Sequence, residues 1–198
     1  PAFDVIAMGA STGGVSAIET VLAGLEAGAL PPIMITQHIP AGFSRSFADR
    51  LHATLPLCVQ EAEHGAPLLA NHVYLAPGDQ QLSLARDELG LRCRVERGER
   101  VNLHRPSVEV LFQSVARHGG TRAVGVMLTG MGTDGAAGML AMRQAGAYNL
   151  VQDEATSLVW GMPGAAAKLG AAHEVLPLGQ IAPRLNGLMQ RPASRGSR

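Results

Sequence analysis

Short apolar runs and helical apolar stripes alternate along this chain, and this pattern predicts strands followed by helices. The first run, Val5 to Met8, is typical of a buried strand. The next apolar residues recur at the spacing of an amphipathic helix: Ile18, Val21, Leu22 and Leu25. The same pattern predicts further strands at residues 33–36, 57–61, 73–76, 123–128, 150–152 and 174–176. It predicts helices after Ala41-Gly42, after Pro106-Ser107, at 136–145, from Met162-Pro163, and at 180–189.

One stretch departs from this alternation and predicts a hairpin. Residues 81–85 and 89–95 alternate apolar with polar on either side of a charged turn at 86–88. Strands that alternate with helices favour a doubly wound, mostly parallel α/β sheet with helices on both faces. We therefore expect that fold class, with the hairpin as a small antiparallel addition.

Length, charge and cysteine content narrow the class of protein. The 198 residues suit one domain at residues 1–190, followed by a Ser/Pro/Arg-rich tail at 191–198 that we expect to be disordered. The net charge of zero argues against nucleic acid or an anionic membrane surface as a partner. No apolar run approaches the roughly 20 residues that span a bilayer. Cys58 and Cys93 lack metal-ligand spacing and are typical of buried or half-buried thiols in a cytosolic protein, so we expect a cytoplasmic location without membrane insertion.

The turn after the first predicted strand carries candidate chemistry. Gly9, Ser11 and Gly13 match the G-x-S-x-G spacing of a nucleophile elbow, in which the flanking glycines allow a sharp turn that exposes the hydroxyl. The helix that follows would offer free N–H groups to a developing oxyanion. A glycine-rich phosphate cradle uses the same geometry, although the full dinucleotide-binding and P-loop patterns are absent. On this stretch alone both interpretations stay open.

Two further predicted strands end in polar residues. His38 follows the strand at 33–36, and Asp134 follows the strand at 123–128. Ligands of doubly wound sheets bind outside the carboxyl ends of the strands, where Ser11 is also expected. Serine, histidine and aspartate are the residue types of a hydrolase triad: a nucleophile, a general base, and a carboxylate that orients the base. Their order along the chain differs from the Ser, Asp/Glu, His order of the α/β-hydrolases, which argues against membership of that fold family.

Each of these residues also has a purely structural interpretation. Ser11 and Asp134 both stand before a predicted helix, where Ser and Asp commonly cap the N-terminus. His38 precedes Ile-Pro, and its ring could simply bond a loop backbone. His104 lies in the loop before the Pro106-Ser107 helix, where it either faces the site or is an exposed loop residue. Considered alone, His104 fits the exposed position better.

Several motifs together resemble those of one enzyme family. They are Ala10-Ser-Thr-Gly-Gly14, Gln37-His-Ile-Pro40 with Gly42-Phe43, Tyr74-Leu-Ala-Pro-Gly78, His104-Arg-Pro-Ser-Val108, Leu128-Thr-Gly-Met-Gly-Thr-Asp-Gly-Ala136 and Trp160-Gly-Met-Pro163. From about Val5 to about Leu185 the chain resembles the CheB-type protein-glutamate methylesterases of bacterial chemotaxis. Thr133 stands where the family often has asparagine, and both residues are small and polar.

The resemblance implies an activity and a set of site residues. The activity is hydrolysis of glutamate methyl esters on chemoreceptors, with deamidation of certain receptor glutamines, and residues 1–190 would form the catalytic domain. Carried over by motif, Ser11 is the nucleophile, His38 the base and Asp134 the orienting acid. We expect oxyanion or substrate contacts from four more residues: Thr12, Gly13, Met131 and His104.

The resemblance also implies partners. They are the methylated cytoplasmic helices of chemoreceptors, together with a receiver domain that the family usually carries on the N-terminal side. No cofactor or metal is expected, because a triad supplies its own base and no His/Cys/carboxylate cluster has zinc-like spacing. Two other functions stand as hypotheses: a phospho-ligand module built on the Gly9–Gly14 turn, and a catalytically silent scaffold that docks a helical partner.

Overall fold

A computed structural model describes residues 3–28 and 30–190, so the predicted tail at 191–198 lies outside the described residues. The strands are β1 Val5–Ala10, β2 Ile33–Gln37, β3 Cys58–Glu61, β4 His72–Leu75, β5 Gln81–Asp87, β6 Gly90–Glu96, β7 Ala123–Met127, β8 Tyr148–Gln152 and β9 Glu174–Leu176. The α-helices are α1 Gly14–Gly24, α2 Phe43–Thr54, α3 Val108–His118, α4 Ala136–Gln144, α5 Met162–Lys168 and α6 Leu178–Met189.

Seven strands form one parallel sheet in the order β3-β4-β2-β1-β7-β8-β9. The chain leaves β1 to add β2 on one side and later returns to add β7 on the other side. The carboxyl ends of β1, β2 and β7 therefore lie side by side at the point where the strand order reverses, which is the usual ligand position in such sheets. The predicted doubly wound α/β fold is confirmed.

Helices cover both faces of the sheet because β1 is apolar on both of its faces. Ile6, Met8 and Ala10 point into a core that is completed by α1, α2 and α6. Val5 and Ala7 point into the opposite core, which is completed by α3, α4, α5 and the β5–β6 hairpin. A strand that is buried on both faces needs the continuous apolar run seen in the sequence.

The hairpin β5–β6 is a separate antiparallel pair, as predicted. It packs on α3 through the buried side chains of Leu82, Leu84 and Cys93, so Cys93 is a buried thiol and Cys58 is half-buried. The predicted turn is too long, because Asp87 pairs with Gly90 and leaves a two-residue connection. Asp87 stabilises this connection by accepting a hydrogen bond from the N–H of Leu89 at 2.8 Å.

Candidate active site

Ser11 lies in the sharp turn between β1 and α1. Its N–H donates to the carbonyl of Thr129 at 3.0 Å, and its own carbonyl accepts the N–H of Gly14 at 2.7 Å. The helix cap is Gly13, in the left-handed region with φ 81, and α1 has no side-chain cap. The interpretation of Ser11 as a helix cap is therefore wrong, and its hydroxyl is not used to satisfy the start of the helix.

The turn is tightly packed against the loop that follows β7. A Cβ atom added to Gly130 would lie 2.8 Å from the Cβ of Ser11 and 2.5 Å from the sulfur of Met162. A Cβ atom on Gly9 would overlap the side chain of Val108. Glycine is required at both positions because β1, the β7 loop and α3 approach one another here.

His38 and Asp134 form a buried pair at the same edge of the sheet. The Nε2 atom of His38 lies 2.7 Å from Oδ2 of Asp134, and the two side chains are 11% and 1% exposed. His38 directly follows β2, and its N–H donates to the carbonyl of Ala10, the last residue of β1, at 3.2 Å. The adjacent strands thus place the imidazole beside the turn that carries Ser11.

Asp134 caps α3, not the helix that follows it in the chain. Its carboxylate accepts the N–H of Val108 at 2.7 Å and that of Glu109 at 3.3 Å, while α4 has no side-chain cap. It also accepts the hydroxyl of Ser107 at 2.7 Å and the amide of Asn102 at 3.0 Å. The sequence-based alternative, a cap on α4, is wrong because the Asp134 side chain turns towards α3.

These donors keep Asp134 ionised although it is buried. Burial by itself would raise the pKa of this carboxyl, but the hydrogen bonds from His38, Asn102, Ser107 and Val108 outweigh it and lower the pKa to about 2. A helix N-terminus favours a carboxylate through its free N–H groups and its dipole. A charged acceptor is therefore held beside the imidazole throughout the neutral pH range.

The hydrogen bond to Asp134 uses Nε2 of His38 and leaves Nδ1 available for proton transfer. Nδ1 is buried and has no hydrogen-bond partner among the residues that the structure describes. With Nε2 occupied by the carboxylate, Nδ1 is the nitrogen that can accept a proton. This assignment is the reverse of the serine-protease template, in which Nδ1 binds the aspartate and Nε2 meets the serine.

His104 is the second imidazole of the site. Its ring stacks on that of His38 with 3.7 Å between centroids and 11° between planes. Burial, followed by the neighbouring His38, lowers the pKa of His104. Of the two alternatives for His104, the exposed loop position is therefore wrong and the position facing the site is the one observed, because the loop of residues 98–105 folds back over His38.

A cleft of about 510 Å³ opens beside the stacked rings. It is lined by His38, Ile39, Pro40, Ala41, Asp79, Arg100, Leu103, His104, Arg105 and Pro106. Among the other predicted contact residues, Thr12 and Gly13 begin the turn into α1, and Met131 lies on the loop after β7 with 62% of its surface exposed. Their oxyanion or substrate roles stay predictions.

Three residues that support the site were given no role from the sequence. Gln37 precedes His38 and is buried, Ser107 precedes α3 and is buried, and Asn102 adopts a left-handed backbone with φ 52. Gln37 and Ser107 occur in the motifs quoted above, yet a motif gives no direction for a side chain. Asn102 contacts Asp134 across 32 positions of the sequence, a contact that no local pattern indicates.

Two further observations concern the described residues, 3–28 and 30–190. None of their His, Cys, Asp and Glu side chains assemble into a group of three or more that could hold a metal ion. None of their helices combines the length and the apolar composition needed to cross a membrane.

The fold and the site together define a doubly wound α/β protein with serine, imidazole and carboxylate grouped at the switch point of its sheet, an arrangement typical of serine hydrolases. Residues 6–185 match the family described as CheB methylesterase. The match covers most of the chain, and the chain therefore belongs to that family.

Individual relatives agree with this assignment. The chain is 54% identical over 184 residues to protein-glutamate methylesterase/protein-glutamine glutaminase 2 of Xanthomonas oryzae pv. oryzae, with 93% of this chain and 51% of the relative covered. The protein of the same activity from Hydrogenovibrio crunogenus is 51% identical, with 96% and 50% covered. The chain thus spans about half the length of the curated relatives it matches.

A solved structure agrees with the fold. The crystal structure of the Thermotoga maritima CheB methylesterase catalytic domain aligns with a TM-score of 0.90 and 33% identity. The alignment covers 94% of this chain and 98% of that catalytic domain.

Proposed function

We propose that this chain is a serine esterase that removes methyl groups from glutamate γ-methyl esters of chemoreceptors and releases methanol. The observation that carries the proposal is the buried His38–Asp134 pair beside the Ser11 turn, in a chain of the CheB methylesterase family. The names of the relatives support a second activity, the deamidation of receptor glutamines to glutamates.

In the proposed mechanism the hydroxyl of Ser11 attacks the ester carbonyl while Nδ1 of His38 takes its proton. The tetrahedral oxyanion forms beside the start of α1, where the N–H groups of Thr12 and Gly13 would stabilise it, with a further contact from Met131 on the loop after β7. His38 then returns the proton to the departing methoxide, which leaves as methanol. Water, activated by the same imidazole, hydrolyses the acyl-enzyme and gives the free glutamate. A glutamine side chain follows the same route with ammonia as the leaving group.

Asp134 would serve this cycle in two ways. Its ionised carboxylate at 2.7 Å holds the proton of His38 on Nε2, so that Nδ1 is free to act as the base. It also stabilises the imidazolium that forms when Nδ1 takes the proton of Ser11. The lowered pKa of His104 would disfavour a second positive charge on the ring that stacks 3.7 Å from the His38 imidazolium.

The partners follow from the family. We propose that the substrates are methylated cytoplasmic helices of chemoreceptors and that the protein works in the cytoplasm. The relatives are about twice as long as the part that this chain matches. We propose that a receiver domain is joined to the catalytic domain in a longer native form.

The test is methanol release from methylated receptor membranes by the wild type and by Ser11→Ala. We expect the variant to stay folded and to lose activity by several orders of magnitude, since only oxyanion and binding contributions remain without the nucleophile. Ser16→Ala is a matched control, because Ser16 is an exposed residue of α1. Wild type that binds receptor but releases no methanol would instead support the silent scaffold, and near-normal release by Ser11→Ala would exclude Ser11 as nucleophile.

A further inference from the structure

The buried amide of Gln37 links the turn that carries Ser11 to the end of β2, where His38 follows. It is the last residue of β2 and only 5% exposed. Its Nε2 atom donates to the carbonyl of Ser11 at 2.8 Å and to the carbonyl of His38 at 3.3 Å. One side chain thus bonds the backbone of the proposed nucleophile and the backbone of the proposed base.

The direction of this amide is determined by its neighbours. The carbonyls of Ser11 and His38 can only accept hydrogen bonds, so the nitrogen of Gln37 must face them. The oxygen, Oε1, points the other way, is buried and has no hydrogen-bond partner among the described residues. A buried amide oxygen without a hydrogen-bond partner destabilises the folded state. The observed orientation indicates that the two hydrogen bonds from Nε2 stabilise the folded state by more than this loss.

The oxygen of Gln37 is also confined by the start of α1. A Cβ atom on Gly14 would overlap Oε1 and would lie 3.0 Å from Cδ of Gln37. Gly14 therefore leaves the space that the amide fills, and the N–H of Gly14 donates to the same Ser11 carbonyl at 2.7 Å. The side chain has little freedom to rotate, so the two carbonyls are held at fixed positions.

From these contacts we propose that Gln37 is a positioning residue that sets the distance and orientation between Ser11 and His38. The proposal rests on the esterase function proposed above and adds a residue to which that function assigns no role. Both hydrogen bonds of the Gln37 amide go to backbone carbonyls, those of Ser11 and His38. Gln37 acts through the backbone, so its loss should lower the reactivity of Ser11 without affecting substrate binding.

The test replaces Gln37 with methionine, which keeps the length of the side chain and removes both donors. The first measurement is the rate at which a serine-directed phosphonate labels Ser11, since labelling needs an activated serine but no receptor. We expect labelling to be about ten- to a hundredfold slower, because a misplacement of about 1 Å can cost about 10²-fold. For methanol release, kcat should fall by the same factor while KM stays within about twofold. Gln144→Met, at an exposed position at the end of α4, is the matched control and should behave as the wild type.

The possible results test the positioning role of Gln37 and the proposed substrate separately. Labelling of Gln37→Met at the wild-type rate would overturn the positioning role, as would a raised KM with unchanged kcat. If Gln37→Met does not fold, Gln37→Leu provides the same measurement, and loss of folding in both variants would also overturn the proposal, because the amide would then support the whole fold. Wild type that labels on Ser11 but releases no methanol would contradict the proposed substrate and leave the positioning role to be decided by the labelling rates.

Discussion

Replacing Asp134 with asparagine removes a charge from the proposed triad and keeps the shape of the side chain. Oδ2 of the carboxylate accepts two hydrogen bonds at 2.7 Å, from Nε2 of His38 and from the N–H of Val108. The N–H of Val108 is a fixed donor, so an amide NH₂ group cannot face it. We therefore expect the amide oxygen of the variant to take the place of Oδ2, with the proton of His38 still on Nε2.

The other oxygen of Asp134 tolerates an NH₂ group better. Its donors are the hydroxyl of Ser107 at 2.7 Å, the amide of Asn102 at 3.0 Å and the N–H of Glu109 at 3.3 Å. A hydroxyl can turn to accept a bond, and the Asn102 amide can turn to present its oxygen. Only the longest of the three bonds, from the backbone of Glu109, has no replacement.

The expected loss of activity follows from the charge alone. Two unit charges about 4 Å apart interact by about 4 kcal/mol at an effective dielectric constant of about 20. The amide dipole retains part of this stabilisation of the imidazolium, so we expect kcat to fall by a factor on the order of 10² to 10³. In the serine-protease template the same substitution costs about 10⁴, because there it also leaves the histidine in the wrong tautomer.

The assay is methanol release, paired with ¹⁵N NMR of the His38 ring to identify the protonated nitrogen. Asp49→Asn removes a charge from an exposed position of α2 and is the control. A loss of 10⁴ or more with the proton on Nδ1 would refute the predicted amide orientation. Activity within a few-fold of the wild type would show that another group orients His38.

The same variant makes a prediction about stability and pH. A carboxyl whose pKa is lowered from 3.8 to about 2 stabilises the folded state above the unfolded pKa, and this contribution is lost as the pH falls through about 2. For Asp134 we estimate about 2 kcal/mol near neutral pH and roughly half of that near pH 3. Urea unfolding should therefore show Asp134→Asn to be less stable by that amount at pH 7, with the difference shrinking towards pH 3. A difference that stays constant with pH would contradict the lowered pKa.

Three further predictions concern the surroundings of the site. His104→Phe should keep most of the methanol release, because a neutral ring still stacks on His38. His104→Ala should lower kcat about tenfold or more, because the His38 ring is then free to move. Equal activities of the two variants would exclude a role for the stack. Methanol release should be unchanged by EDTA, and inhibition reversed by a divalent ion would contradict a metal-free triad. The chain should be active without phosphorylation, and a longer form with a receiver domain should be less active until a phosphodonor is added. Equal activities of the two unphosphorylated forms would exclude inhibition by docking of the receiver domain on the catalytic domain.

Local patterns account for most of the secondary structure. The helix predicted after Pro106-Ser107 is α3, and its apolar residues Leu111 and Phe112 are fully buried, because helix spacing by itself places these side chains on one side. β7 corresponds to the strand predicted at 123–128, and its continuous apolar run suits a strand whose residues 123–127 are all buried. The alternation of apolar and polar residues predicted the hairpin. The charged residues at 86–88 predicted a three-residue turn, whereas the pairing of Asp87 with Gly90 leaves a turn of two residues.

The site was predicted as a set of strand ends, and the tertiary structure determined how its members interact. Sequence order and strand prediction suffice to place Ser11, His38 and Asp134 at one edge, because parallel strands of a doubly wound sheet share their carboxyl edge. The cap on α3, the stack of His104 on His38 and the amide of Gln37 join residues from different loops. Such contacts depend on side-chain direction and on packing between segments distant in the chain, which no local pattern of residues contains.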